Sequence, residues 1–170
     1  IVRPGVFPFG PRDRTTFLPL AAELERGRGG YLRGGRALIT TAYVENLTQG
    51  LRLALERPEG ARETFVIGDD GEITWRQLFS SFAEGLGVRP PRLSLPFPLA
   101  YAIAWAWEGL YSLFRVQRAP LLTRYRTLLA GRDCHFISTK AKRLLGYKPT
   151  IDLGEAVART ARWYHDLRPR

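Results

Sequence analysis

Apolar residues run through this chain in short clusters cut by proline and glycine, and the cuts mark out its elements. Ile1-Val2 is apolar and β-branched, as expected of a buried strand. Pro4, Gly5, Pro8, Gly10 and Pro11 follow at once. Prolines withhold backbone donors and glycines admit positive φ, so the sheet ends here and the chain enters a loop. Strand ends of this kind border ligands in open α/β sheets, although an ordinary strand exit reads the same way. Phe17, Leu20, Ala21 and Leu24 then recur at helical spacing. They predict a helix to about Arg26, capped by Thr15 or Thr16 and ended by Gly27-Arg28-Gly29-Gly30.

Tyr31-Leu32-Arg33 and the run from Ala37 to Thr41 predict two short strands around a Gly34-Gly35 turn. Asn46 is placed to cap a helix over 47–56, with Leu47, Leu51, Ala54 and Leu55 inward and Pro58 closing it. Thr64 to Ile67 reads as a strand. Thr74 and Gln77 form a capping box for a helix that buries Trp75, Leu78, Phe79, Phe82 and Leu86 and stops at Gly87. Further on, a helical run from Pro120 to about Leu129 is expected. Ser138 is expected to cap a helix over 139–145 that Gly146 terminates, with Ser138→Ala costing on the order of 1 kcal/mol through the lost cap. Asp152 and Glu155 open a last amphipathic helix through Trp163 and Tyr164. Helices alternating with strands suit an α/β fold.

Residues 97–114 break the pattern. Ala100, Ala102, Ala104 and Ala106 interleave with Tyr101, Ile103, Trp105 and Trp107, and Glu108 is the only charge. A helix over 99–114 is roughly 24 Å long against ~30 Å of bilayer hydrocarbon, too short to span. Apolar on nearly every face, it needs a cover: more protein, a lipophilic ligand or a membrane interface. Arg89, Arg92, Arg115 and Arg118 flank it on both sides, as suits an interfacial anchor, with burial under other protein as the competing reading.

Composition narrows the classes. In 170 residues, 45% are hydrophobic and 12% aromatic, which argues for a folded core. The net charge of +10 comes mainly from arginine. These cations are scattered rather than gathered in a stripe with stacking aromatics, so a nucleic acid is not expected as a partner. The one cysteine, Cys134, excludes an internal disulfide, and with two histidines no zinc site of Cys and His is expected. Cys134 and His135 lack a base–orienter partner in the sequence and read as structural. No Gly-x-Gly-x-x-Gly or Walker lysine motif occurs. The opening within an apolar strand is read as the continuation of a preceding half.

Five stretches carry a family resemblance. Arg3-Pro4-Gly5-x-Phe7-x-Phe9-Gly10-Pro11-Arg12-Asp13 resembles the Arg-Pro-x-x-(Val/Ile)-(Tyr/Phe)-Gly-Pro-Arg-Asp element of extended short-chain dehydrogenases, one residue longer at Phe7-Pro8-Phe9. Tyr43-Val44-Glu45-Asn46-Leu47 resembles their Val-x-Asp-Val helix start, with Asn for Asp. Phe65-Val66-Ile67-Gly68 resembles their Phe-Asn-Ile-Gly strand, and Ile73-Thr74-Trp75 the helix start after it. Residues from Ser138 to Pro149 resemble their Ser-x-x-Lys-Ala-x-x-x-Leu-Gly-Tyr-x-Pro element. The resemblance implies an α/β fold: the C-terminal part of an extended Rossmann-type dehydrogenase, with the last sheet strands and a mostly helical substrate-binding subdomain. It also implies an organisation in which 1–14 form the strand and loop at the cofactor/substrate cleft, and 15–170 the substrate-binding subdomain with interleaved strands.

Within the family, nucleotide-sugar enzymes carry an Arg-Asp pair, whose arginine holds the substrate pyrophosphate, where this chain has Ile39 and Thr40. The missing guanidinium disfavours a nucleotide sugar. The apolar segment and Leu121-Leu122-Thr123-Arg124 instead resemble the 3β-hydroxysteroid dehydrogenase branch, including sterol-4α-carboxylate 3-dehydrogenases. That branch implies an NAD(P)-dependent oxidoreductase acting on a secondary alcohol or ketone of a steroid-like or long-chain substrate. A nucleotide-sugar epimerase, dehydratase or reductase half, or a non-catalytic membrane-surface module on the same fold, are the alternatives.

By the same resemblance, the catalytic Tyr-x-x-x-Lys and the glycine-rich NAD or NADP loop precede this chain, and 1–170 alone is expected to be inactive. No tyrosine here is followed four residues on by lysine. Pro4, Gly5 and Val6 would border the nicotinamide through their backbone, with plain strand termination as the alternative. Phe7, Phe9, Arg12 and Phe17 would line the substrate side, with Arg12 either meeting a carboxylate or forming a surface salt bridge. Tyr43 would be a further wall unless core packing claims it. A lipophilic small molecule, a homodimer and peripheral membrane contact through 97–115 fit this picture, in a cytoplasmic or membrane-associated protein with no resident metal.

Overall fold

A computed structural model describes residues 1–114, 116 and 122–167. The chain order is β1 (Val2–Pro4), β2 (Phe7–Phe9), α1 (Phe17–Glu25), β3 (Gly30–Leu32), β4 (Leu38–Ile39), β5 (Thr41–Tyr43), α2 (Val44–Glu56), β6 (Phe65–Ile67), β7 (Ile73–Thr74) and α3 (Trp75–Gly85). It continues with β8 (Leu93–Leu95), α4 (Phe97–Leu113), α5 (Arg124–Gly131), α6 (Thr139–Leu145) and α7 (Leu153–Asp166). β1 pairs with β6, β2 with β5 and β3 with β8, all parallel, while β4 and β7 are antiparallel. Parallel partners need long crossovers, and helices supply them here.

Phe82 on α3 is the hub of the main core. Its ring centroid lies 5.1 Å from Phe17, 5.2 Å from Phe9 and 6.1 Å from Phe7. Trp75 meets Phe7 edge-on at 5.7 Å, and Tyr164 of α7 meets Phe17 edge-on at 5.9 Å. A smaller cluster joins Phe65 and Ile67 of β6 to Ala141 and Leu145 of α6 and to Tyr147. The Thr74–Gln77 capping box forms in both directions, and Gly146 closes α6 at φ 67°. Asp152 accepts from the Glu155 amide, but the Glu155 carboxylate turns to Arg159 and leaves that box half made.

Several local expectations give way to tertiary contacts. Ile1 is exposed, because β1 has β6 as its only partner among the described residues. Neither Thr15 nor Thr16 caps α1. Asp13 does, its carboxylate accepting from the amides of Thr15 (3.0 Å), Thr16 (2.9 Å) and Phe17 (2.9 Å). Asp13→Ala is therefore expected to cost about 1–2 kcal/mol in urea unfolding. The Gly34-Gly35 segment is a 3-10 turn rather than a hairpin, and the strands around it take different partners, β8 and β7. A Cβ on Gly35 would lie 2.6 Å from the Tyr31 ring.

α2 begins at Val44, before Asn46, which is buried inside its first turn. Leu51 and Leu55 point outward, and the inward stripe runs through Asn46 and Gly50, where a Cβ would meet Ile67 at 2.7 Å. Ser138 occupies the N-cap position of α6, its carbonyl accepting from the Lys142 amide, but its side chain does not cap the helix. Its hydroxyl accepts from the Gly68 amide at 3.0 Å in a buried setting. Ser138→Ala is expected to cost about 1–3 kcal/mol by orphaning that amide, and the α6 helical signal should persist in circular dichroism.

The helix expected from Pro120 falls partly outside the described residues. Within them, α5 starts at Arg124, and Thr123 caps it by accepting from the Arg126 amide at 3.1 Å. α4 packs on α5 through Ala100 and Ala104, both fully buried, and the Phe97 ring lies over Gly131. No helix among the described residues is long and apolar enough to cross a membrane.

Candidate functional site

The loop from Pro4 to Asp13 is held from two sides. Gly5 donates to the Ile67 carbonyl at 2.8 Å and Phe7 to the Thr40 carbonyl at 3.0 Å. A Cβ on Gly5 would lie 2.8 Å from the Thr41 carbonyl oxygen, so only glycine admits this approach. Beyond β2 the chain passes Gly10 and turns at Arg12, whose φ of 71° is left-handed and rare for a side-chain-bearing residue. Strain of that kind costs about 1 kcal/mol or more and collects at functional sites. The turn borders an open concavity of about 290 Å3 lined by Phe9, Gly10, Arg12, Thr16, Val44 and Leu47, among others. The Arg12 side chain is exposed there, and no ion pair holds it among the described residues.

The residues named from the sequence separate. Arg12 reaches the concavity, while Phe9 backs it from the core, almost fully buried against Phe82 and Tyr43. Pro4 is exposed, Val6 half-buried and Gly5 buried, with the Gly5 amide already committed to β6. Phe7 and Phe17 are core side chains packed on Phe82, and neither lines the concavity. Tyr43 is also core: its ring packs on Phe9, and its hydroxyl donates to Glu45 at 3.0 Å. A run of aromatics in a loop looks like a ligand wall until the helix behind it is known.

Ile39 and Thr40 are sealed in the core, Ile39 bridged to Cys134 and the Thr40 hydroxyl bonded to the Phe136 backbone. Cys134 thus serves β4 through its backbone, with its amide on the Leu38 carbonyl and its carbonyl on the Thr40 amide.

Asp69 and Asn46 form a polar hub that the sequence reading did not single out. Asp69 accepts from the Tyr43 amide at 2.8 Å and from Asn46 Nδ2 at 2.7 Å. Asn46 also donates to the Ile151 carbonyl, and its oxygen accepts from the Thr150 and Ile151 amides. This hub ties the start of α2 to the end of β6 and to the approach to α7. The signal available was the pair of polar residues ending two apolar runs, Asn46 and Asp69.

Burial pushes the Tyr43 phenol up to about 12, helped by the Glu45 carboxylate beside it. The Tyr147 phenol is also raised by burial, and by Asp69 and Asp70; it donates to the Gly68 carbonyl at 3.1 Å. Both stay protonated in the folded chain where the unfolded chain ionises, near pH 10. Their stabilisation is complete below about pH 10 and falls as pH rises toward about 12. Urea unfolding between those values should show stability dropping with pH, with a shallower drop in Tyr43→Phe.

No family model matches the chain. Among curated proteins it is 31% identical over 167 residues to mouse sterol-4-alpha-carboxylate 3-dehydrogenase, decarboxylating, a match covering 94% of this chain and 46% of that protein. It is 35% identical over 149 residues to the 4-hydroxy-2-methyl-3-oxo-4-farnesyl-3,4-dihydroquinoline-1-oxide ketoreductase of Stigmatella aurantiaca, covering 86% and 43%. Among solved structures, Thermotoga maritima UDP-glucose 4-epimerase with UDP-glucose superposes with a TM-score of 0.66 at 22% identity, over 97% of this chain and 45% of that one. The fold is therefore the α/β, Rossmann-type fold of the epimerase and dehydrogenase superfamily. Over most of its length the chain is similar to extended short-chain dehydrogenases, among them sterol-4α-carboxylate and 3β-hydroxysteroid dehydrogenases. It spans about half the length of the curated relatives it matches.

Proposed function

We propose that these residues are the substrate-side, C-terminal half of an NAD(P)-dependent oxidoreductase that interconverts a secondary alcohol and a ketone on a lipophilic molecule. Residues 1–14 form the strand and loop at the cleft and 15–170 the substrate-binding subdomain, with the dinucleotide-binding half preceding them. The observation that carries the substrate class is the burial of Ile39 and Thr40, where the family's nucleotide-sugar enzymes keep a pyrophosphate-binding arginine. An anionic diphosphate would meet no guanidinium at that position. The names of the mouse and Stigmatella relatives, a sterol and a farnesylated quinoline enzyme, support the same class.

The edge of β1 that has no partner among the described residues and the apolar concavity beside it support a preceding half. That concavity, of about 670 Å3, is bordered by Ile1, Val2, Leu51, Leu55 and Ala61. Toward a nicotinamide, the chain offers the backbone of Pro4, Gly5 and Val6. The Gly5 amide bonds Ile67, so what remains there is the Val6 amide, carbonyl oxygens and the Pro4 and Val6 side chains. The cofactor supplies the hydride exchange when bound. Pro8, Pro11 and Val44 give the substrate an apolar surface backed by the buried Phe9 ring, and Arg12 is free to orient a carboxylate. Proton transfer belongs to the preceding half, so 1–170 alone is inactive.

Peripheral contact with a membrane on its cytoplasmic side, through 97–115, completes the reading. It is supported by the outer face of α4, where Leu99, Trp105, Leu110 and Leu113 are exposed. Nicotinamide absorbance in the intact protein tests the function. Oxidation of a hydroxysteroid or long-chain secondary alcohol is expected, with no reaction of a UDP-sugar and none by 1–170 alone. Turnover of the UDP-sugar in preference would overturn the proposal.

A further inference from the structure

β8 leads into α4 through Pro96, and the stretch before β8 carries cations on an apolar floor. Arg89 and Arg92 flank Pro90-Pro91, and with Arg28 from the α1–β3 connection they line a concavity of about 480 Å3. Leu24, Leu93 and the two prolines make up much of the remaining wall. All three arginines are exposed, and none of their guanidinium groups has an ion-pair partner among the described residues. Some exposed cations elsewhere are ion-paired, Arg124 with Glu108, Lys140 with Glu63, Lys142 with Asp70 and Arg159 with Glu45 and Glu155; what sets this group apart is that three unpaired guanidiniums line one hollow. Three unmatched guanidiniums around one hollow repel each other until an anion joins them, and their planar forks suit phosphate oxygens.

The apolar surface that follows says where such a phosphate would come from. Leu93 lines the hollow and is 60% exposed. A few residues on, the outer face of α4 presents Leu99, Trp105 (65% exposed), Leu110 and Leu113 (74%). The one charge of α4, Glu108, is neutralised by Arg124, accepting from its backbone amide at 2.8 Å and its Nε at 2.5 Å. An apolar helix with tryptophan on its outer face beside a cationic hollow matches the two layers of a bilayer surface, acyl chains below and phosphates above.

We propose that Arg28, Arg89 and Arg92 seat the phosphate of an anionic lipid headgroup while α4 lies in the interface, so that the protein selects anionic over zwitterionic membranes. This rests on the membrane reading given above and adds the headgroup site to it.

Co-sedimentation of the intact protein with vesicles tests it, using phosphatidylcholine alone and phosphatidylcholine mixed with phosphatidic acid. Each cation near an anionic surface raises partitioning about five-fold, so three give a preference on the order of 100-fold. The combined variant Arg28→Gln, Arg89→Gln, Arg92→Gln should lose that preference and bind both vesicles as the parent binds phosphatidylcholine. Trp105→Ser with Leu113→Ser should weaken binding to both, and all of these positions are exposed, so folding should hold by circular dichroism. Equal binding of the parent to the two vesicles, or an undiminished preference in the arginine variant, overturns the headgroup site and leaves the membrane contact standing. Displacement by millimolar inorganic phosphate at constant ionic strength assigns the site to free phosphate and overturns the lipid source. Failure to bind either vesicle overturns the membrane reading itself and gives α4 a protein cover.

Discussion

Asn46→Ala is expected to lower the unfolding free energy by about 2–4 kcal/mol, one of the two largest losses for a single side chain here. Asn46 is almost fully buried and makes four hydrogen bonds. Two reach Asp69 Oδ1 at 2.7 Å and the Ile151 carbonyl at 2.8 Å, and two are accepted from the Thr150 and Ile151 amides at 3.1 Å. Alanine removes both halves at once and leaves partly buried groups on two segments, at Asp69 and at Thr150–Ile151, without these partners. Urea unfolding at neutral pH measures the loss. Asn46→Asp separates donors from acceptors: the new carboxylate keeps the two accepted bonds but faces Asp69 and the Ile151 carbonyl. Its pKa should rise, so that variant should regain stability as the pH falls and the new carboxyl donates to Asp69. A variant that shows no such recovery would mean the Asp69 contact contributes nothing.

Phe82→Ala should cost about 3–5 kcal/mol, the range for emptying a packed aromatic site. The loss falls on the cleft as well as on the core. Phe82 stands directly behind Phe7 and Phe9, at 6.1 Å and 5.2 Å, and those rings anchor the loop that carries Arg12. Amide exchange in that loop should therefore accelerate more than in β6, which belongs to the second cluster. Phe82→Leu should retain most of the stability, at a cost below about 1.5 kcal/mol. Uniform acceleration across both clusters would show that the loop is not held from this side. With domain stabilities of about 5–15 kcal/mol, either loss leaves little margin.

What the sequence made legible were the elements whose causes are local. Thr74 with Gln77, Gly146, the Phe65–Ile67 strand and the inward face of α3 each need only neighbours within a turn or two. Cap-forming residues with distant partners read wrongly. Asn46 bonds Ile151, 105 positions away, and Ser138 bonds Gly68, 70 away, so neither side chain is free to cap the helix that its type and position suggested. Asp13 took the cap from Thr15 and Thr16 because the left-handed turn at Arg12 folds its carboxylate over three amides. The candidate site divided on the same principle. Arg12 borders a concavity, whereas Phe7, Phe9 and Phe17 pack on α3 and α7, whose proximity no local pattern encodes, and Tyr43 takes the core packing that the sequence left open for it.

The proposed function requires β1 and the loop after it to close over a nicotinamide carried by preceding strands, against a lipophilic substrate. A crystal structure of the intact protein with reduced cofactor and a hydroxysteroid or long-chain ligand tests this most directly. The expected result is a parallel strand on the open edge of β1, the nicotinamide against the backbone of Pro4–Val6, and the ligand's apolar body against Pro11 and Val44. A β1 edge left in solvent, with the cofactor away from Pro4–Val6, would contradict it.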